Sequence, residues 1–265
     1  MRPPRWAVSS AATLLLLVAV SAKVSHTAQG CTAPQEMTRF TVGLPNTARA
    51  IRSGNGLVIV AIGSSSTKGV GASDPAHTYP ALLAEELRHR WPQLAVTVVN
   101  KGVGGEMASQ MLARFERDVL PYWPQLVIWQ TGSNEALRRE DIEGYAGTIR
   151  EGISRLKVIK ADIVLMDPQF APRTLARPMH LPVVASISAV GHDMNVAVFR
   201  RFAVMQHLIS SGQYKMEDII SSDGLHMNEV SYRCIAHLLA DSLIAAAEPE
   251  IHGGRRSERA RDASR

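Results

Sequence analysis

The chain has 265 residues, 46% hydrophobic and 20% charged, which is enough to bury one sizeable core and too apolar for a disordered polypeptide. Its net charge of +5 is carried by the two ends: Arg2 and Arg5 near the start, and five arginines against Glu258 and Asp262 in 253–265. The body between them is neutral, so the sequence pI of about 9.5 is no sign of a nucleic-acid-binding surface.

The first 22 residues carry Arg2, Arg5 and an apolar run centred on LLLLVAV, then the small residues Val20-Ser21-Ala22. That pattern predicts a signal peptide cleaved near Ala22 and a periplasmic or secreted protein. The alternative is an uncleaved anchor, but the apolar run is shorter than the roughly 20 residues of a spanning helix. No other segment is read as membrane-spanning, and no stable membrane partner is expected. In an exported chain, Cys31 and Cys234 allow one disulfide between the N-terminal arm and a late helix. A buried free Cys234 with a loose Cys31 satisfies the sequence equally well.

Residues 23–56 read as a polar arm with Pro34, Pro45, Gly54 and Gly56. LVIVAI (57–62) is a strand buried on both faces, followed by a helix over 78–91 with Leu83, Leu87 and Trp91 at steps of four. AVTVV (95–99) is a second strand, and a helix over 107–119 stops before Pro121. LVIWQ (126–130) is a third strand, 141–159 a strongly periodic helix, and DIVLM (162–166) a fourth strand. The Pro-rich segment 167–182 is a loop, 183–210 a helical stretch and 228–247 the last helix. The basic end, 249–265, reads as a disordered tail. Four strands alternating with helices predict parallel pairing with right-handed crossovers, hence a three-layer α/β/α sandwich over 57–248. Reactive loops in such sheets lie at the carboxyl ends of the strands, here GSSST, NKGVGGE, QTGSNE and MDPQF.

A serine hydroxyl is a weak nucleophile near neutral pH unless a base takes its proton. Asp223 and His226 in DGLHMN are three residues apart, so one short turn can present a carboxylate to fix the imidazole's tautomer and stabilise its charged form. Alone this spacing more often marks a capping Asp before a surface His. The combination is more specific: GSSSTKG after the first strand, NKGVGGE after the second, GSNE after the third and DGLH before the last helix. In that order they resemble the SGNH, or GDSL-type, serine hydrolases, over about residues 57–245.

The resemblance implies a flavodoxin-like fold with a mostly parallel sheet and an esterase, lipase, thioesterase or carbohydrate deacetylase activity without a metal or other cofactor. It matches Ser65 to the nucleophile, Gly105 and Asn134 to oxyanion-hole donors beside the Ser65 N–H, and Asp223 and His226 to the acid–base pair. The substrate class it implies is a small-molecule or carbohydrate acyl ester, O-acetyl groups included. An acyltransferase using the same triad on a sugar hydroxyl, and a non-catalytic carbohydrate-binding module, are the rival readings.

Three positions depart from the family pattern: Ser64 replaces the Asp of Gly-Asp-Ser, Glu135 the last Asp of Gly-x-Asn-Asp, and Glu106 the Asp after the block-two glycine. Glu106 and Glu135 read as solvated or capping groups. His180 and His192 read as surface residues or as lining of a pocket beside the Pro-rich loop.

Overall fold

The computed structural model describes residues 30–138 and 141–262, with side chains to 248. The expected signal peptide, its cleavage site and the start of the arm lie outside the described residues. Five strands form one parallel sheet: β1 (Leu57–Gly63), β2 (Val96–Gly102), β3 (Leu126–Gln130), β4 (Asp162–Met166) and β5 (Ala197–Phe199). Their spatial order is β2-β1-β3-β4-β5, which places the topological switch between β1 and β3, where open α/β sheets open a crevice for ligands.

Among the described residues, the helices of eight residues or more are α1 (Pro45–Ser53), α2 (Tyr79–Arg90), α3 (Ile142–Val158), α4 (His180–Asp193), α5 (Arg201–Ser210) and α6 (Glu229–Asp262). Alternate residues of each central strand feed opposite layers, as the period of two requires. Ile59, Ala61, Leu126 and Ile128 join one core with Leu83 and Leu87 of α2, Leu208 of α5 and Ile235 of α6. Val60, Ile62, Val127 and Trp129 join the other with Ile149 and Ile153 of α3 and Ile187 of α4. The result is the three-layer α/β/α sandwich. Residues 229–248 of α6 are long and apolar enough to cross a membrane by composition, with mean hydropathy 1.2, but 61% of that window is buried within the protein.

Cys31 and Cys234 form a disulfide with Cα atoms 5.5 Å apart, closing a loop across a sequence separation of 203. In the chain-entropy model a loop of that length stabilises the native state by about 5 kcal/mol. It anchors the start of the arm to α6, and the Leu44 N–H donates to the Ala246 carbonyl of the same helix.

Five elements differ from the sequence reading. The Pro-rich segment 167–182 is not all loop: prolines are tolerated in a helix's first turn, so Pro172–Leu175 forms one helical turn, and α4 begins within the segment at His180. The stretch 183–210 is two helices with β5 between them, because Asn195 takes φ 51° and ends α4, and Ala197–Phe199 then pairs with Val164–Met166. The helix over 107–119 is two short ones, Ala108–Leu112 and Phe115–Asp118, broken at Arg114 with φ −111°. The arm contains the helix α1, whose Thr47, Ala48 and Ala50 are buried. The backbone of α6 is helical to Asp262 rather than ending at 247 before a disordered tail, and Arg, Glu and Ala, strong helix formers, make up most of 255–262.

Candidate active site

Ser65 is the first residue of a one-turn helix, Ser65–Lys68, that begins two residues after Gly63 ends β1. The turn is seated on the end of β2. Gly63 pairs with Gly102 in the β1–β2 register, and a Cβ at Gly102 would lie 2.0 Å from the Lys68 nitrogen. Only glycine lets the two backbones approach so closely. Asn100 secures the same junction: its Nδ2 donates to the Thr67 carbonyl at 2.7 Å and its Oδ1 accepts the Gly102 N–H at 2.9 Å.

The neighbours of Ser65 have structural partners. Ser66 Oγ donates to Gln169 Oε1, and Thr67 Oγ1 donates to Gln130 Oε1 and shares a hydrogen bond with Tyr79 Oη. Ser64 is buried, and both its N–H and its Oγ donate to Gln130 Oε1, at 3.0 and 3.2 Å. Gln130 therefore supplies the acceptor at this strand end, and Ser64 stands as a donor where the family pattern has a carboxylate.

His226 and Asp223 come from a tight loop before α6. The Ser221 N–H donates to the His226 carbonyl at 2.8 Å, and Ile220 and Met227 form an antiparallel bridge. Asn228 and Ser231 exchange hydrogen bonds that cap α6, so the loop's exit is fixed by local sequence. Asp223 Oδ1 accepts the N–H groups of Leu225 and His226 at 2.9 and 3.0 Å, while Oδ2 takes His226 Nδ1 at 2.5 Å. Across a sequence separation of 161, His226 Nε2 lies 2.9 Å from Ser65 Oγ. Burial opposes the charge on Asp223, but the His226 side chain and the two backbone donors outweigh it and hold the carboxyl below its ordinary value. With Nδ1–H committed to a carboxylate, Nε2 is left as the acceptor facing the hydroxyl, the arrangement a general base needs.

Gly105 adopts φ +80°, a conformation L side chains rarely enter, and Asn134 Nδ2 donates to the carbonyl of the next residue, Glu106, at 2.8 Å. That bond holds block three against block two and leaves the amide a second N–H. Glu106 pairs with Arg114 at 2.7 Å, and Arg114 also donates to the carbonyls of Gly63 and Lys101 at the ends of β1 and β2. Glu135 is buried rather than solvated: its carboxylate accepts the Gly132 N–H, and the Ala108 N–H at 2.5 Å, capping both loops. His192 is exposed, and His180 stacks on Phe202 with ring centroids 5.8 Å apart. Sequence reasoning missed Gln130, Gln169 and Arg201, three buried polar residues behind the site. A polar residue closing an otherwise apolar strand was the one visible signal, at Gln130.

Residues 30–249 match the non-GDSL lipase-like family. The chain is 28% identical to an acetylxylan esterase of Geobacillus stearothermophilus, over 49% of this chain and 67% of that one. It is 26% identical to thioesterase 1/protease 1/lysophospholipase L1 of Escherichia coli (strain K12), over 70% of this chain and 82% of the other. A similar solved structure is a two-domain esterase active on acetylated mannans, with a TM-score of 0.65 and 21% identity over 80% of this chain. The present chain spans 56% of that two-domain protein. The match across most of its length shows that the chain belongs to the non-GDSL lipase-like family, within the SGNH-type esterase superfamily.

Proposed function

We propose that the protein is an exported serine esterase that removes short acyl groups, O-acetyl groups on carbohydrate foremost, through Ser65, His226 and Asp223. The observation that carries this reading is the continuous relay from Asp223 Oδ2 through the imidazole to Ser65 Oγ, with contacts of 2.5 and 2.9 Å. Ser65 Oγ attacks the ester carbonyl as His226 Nε2 takes its proton. The oxyanion forms against the N–H groups of Ser65 and Gly105 and the Asn134 amide, donors worth about 3 kcal/mol each where one has been removed from such a hole. The C–O bond to the alcohol then breaks, and His226 returns the proton to the departing oxygen. Water adds to the acyl-enzyme by the reverse sequence, releasing the acid and free Ser65.

The substrate class draws on the acetylxylan esterase and the esterase active on acetylated mannans. Export draws on the Arg2/Arg5 apolar leader and on the Cys31–Cys234 disulfide, since disulfides persist in oxidising compartments. A fluorophosphonate probe with mass-spectrometric site mapping tests the chemistry, because it labels only an activated serine. The label is expected on Ser65, and Ser65→Ala is expected to lower kcat on p-nitrophenyl acetate by on the order of 10⁴–10⁶. A label on Ser64 or Ser66, or activity surviving the substitution, would refute the assignment.

A further inference from the structure

Behind the relay lies a side chain that no step of the proposed chemistry uses. Gln169 follows β4 and is 1% exposed. Its Oε1 accepts three donors: Ser66 Oγ at 3.3 Å, Ser133 Oγ at 2.9 Å and Arg201 Nη2 at 3.1 Å. Its Nε2 donates to the Leu225 carbonyl at 3.0 Å. A guanidinium can only donate and a carbonyl can only accept, so the amide's orientation is unambiguous. Arg201 is itself fully buried and fixed by donation from Nε to the Asp167 carbonyl at 2.9 Å.

Three of these four partners are immediate chain neighbours of the groups in the proposed site. Ser66 follows the nucleophile Ser65, Ser133 precedes the oxyanion donor Asn134, and Leu225 precedes the base His226. Those groups come from three loops that meet at no other single side chain among the bonds described above. We propose that Gln169 is a positioning residue that holds nucleophile, oxyanion donor and base in mutual register; the proposal rests on the triad reading above. It touches none of the reacting atoms. A four-bond amide in a buried site sets all three loops at once. Loosening it by about 1 Å is enough to cost on the order of 10²-fold in rate without unfolding the core.

The test uses the full mature chain and three variants. Gln169→Met keeps the volume and removes all four bonds. Gln169→Glu keeps the acceptor role towards Ser66, Ser133 and Arg201 and loses the donor to Leu225. Ser242→Ala, which deletes a buried bond to the Leu238 carbonyl in α6, is the control for generic polar loss. The fluorophosphonate labelling rate, kcat, KM and Tm are measured for each. Gln169→Met is expected to lower kcat and the labelling rate by on the order of 10²-fold with KM within about two-fold. Gln169→Glu is expected to fall between it and wild type, and Ser242→Ala to lower Tm alone.

A lower Tm with kcat and labelling unchanged in Gln169→Met overturns the proposal. If that variant does not fold, a double-mutant cycle of Ser66→Ala and Ser133→Ala decides. Non-additive losses in kcat support a shared anchor, and additive or absent losses overturn it. A wild-type protein that fails to label at Ser65 defeats the triad reading and this inference together. Labelling at Ser65 with Gln169 variants indistinguishable from wild type defeats this inference alone.

Discussion

The two ends of the sheet each hold an aspartate that accepts hydrogen bonds, and they use it differently. At the amino ends of β4 and β5, Asp162 borders an open cleft of about 800 Å³ lined also by Asn46, Arg49, Lys157 and Lys160. Both its oxygens serve structure: Oδ2 accepts the Thr47 N–H at 2.7 Å and Oδ1 accepts Asn46 Nδ2 at 3.0 Å. It thereby caps α1, whose own N-cap residue, Leu44, has no side chain able to do so. Burial dominates its environment and raises its carboxyl above the ordinary value. At the carboxyl ends, Asp223 satisfies its loop with one oxygen and gives the other to His226. On the proposed reading, room does not mark chemistry in this molecule. The distinguishing feature is a carboxylate with one oxygen left for a base, and a base with one nitrogen left for a hydroxyl.

The same substitution at both aspartates gives the largest contrast. Asp223→Asn should lower kcat on short aryl esters by on the order of 10⁴ by favouring the wrong imidazole tautomer. Asp162→Asn should leave kcat unchanged, and equal losses at the two ends would erase the distinction. Within the carboxyl end, Asn134→Ala should lower kcat by about 10²–10³ with little change in KM; a KM effect alone would make Asn134 a substrate-binding rather than an oxyanion residue.

Restoring the family carboxylate with Ser64→Asp should destabilise the fold by about 1–3 kcal/mol, seen as a fall in Tm, because it sets a buried acceptor against Gln130 Oε1. Flipping the Gln130 amide would serve the new carboxylate only by stranding the backbone N–H of residue 64. An unchanged or higher Tm would show that the site tolerates the acid.

Per pH unit, a slope of comparable size is expected from a buried acid. Burial raises Asp167 from an ordinary 3.8 to about 7, against the opposing Phe202 N–H and Arg201 charge. The native carboxyl then holds its proton where the unfolded one has released it. Stability should fall as pH rises between those values, by up to about 1.4 kcal/mol per pH unit from this group. Urea melts at several pH values should show the slope, and Asp167→Asn should flatten it. The smallest effect is expected at the amino end, where Asp162→Asn should weaken the α1 cap by about 1 kcal/mol.

How much was legible in the sequence follows from the range of the interactions. The Ser64–Thr67 hydroxyl cluster stands out because a buried strand ends at Gly63 and a polar turn follows within a few residues, and the resemblance of the four blocks to the family then picks Ser65 from it. Asp223 and His226 stand out for the same reason, a carboxylate and an imidazole three residues apart in one loop. Strand β5 was hidden inside an apolar stretch, since three residues carry no period and only pairing with β4 makes them a strand. Gln169, Arg201 and Gln130 were invisible as a group because their partners lie 32 to 103 residues away.

The sequence by itself determined the alternating strands and helices and the loops at the carboxyl ends of the strands, and it offered the candidates in them for nucleophile and base. Those depend on periodicity and on contacts within a turn. Only the tertiary structure decided that Cys31 reaches Cys234, that a buried Glu135 accepts the Ala108 N–H, and that His226 Nε2 comes within 2.9 Å of Ser65 Oγ. Each of these is a distance between segments far apart in the chain, set by how the layers pack on the sheet.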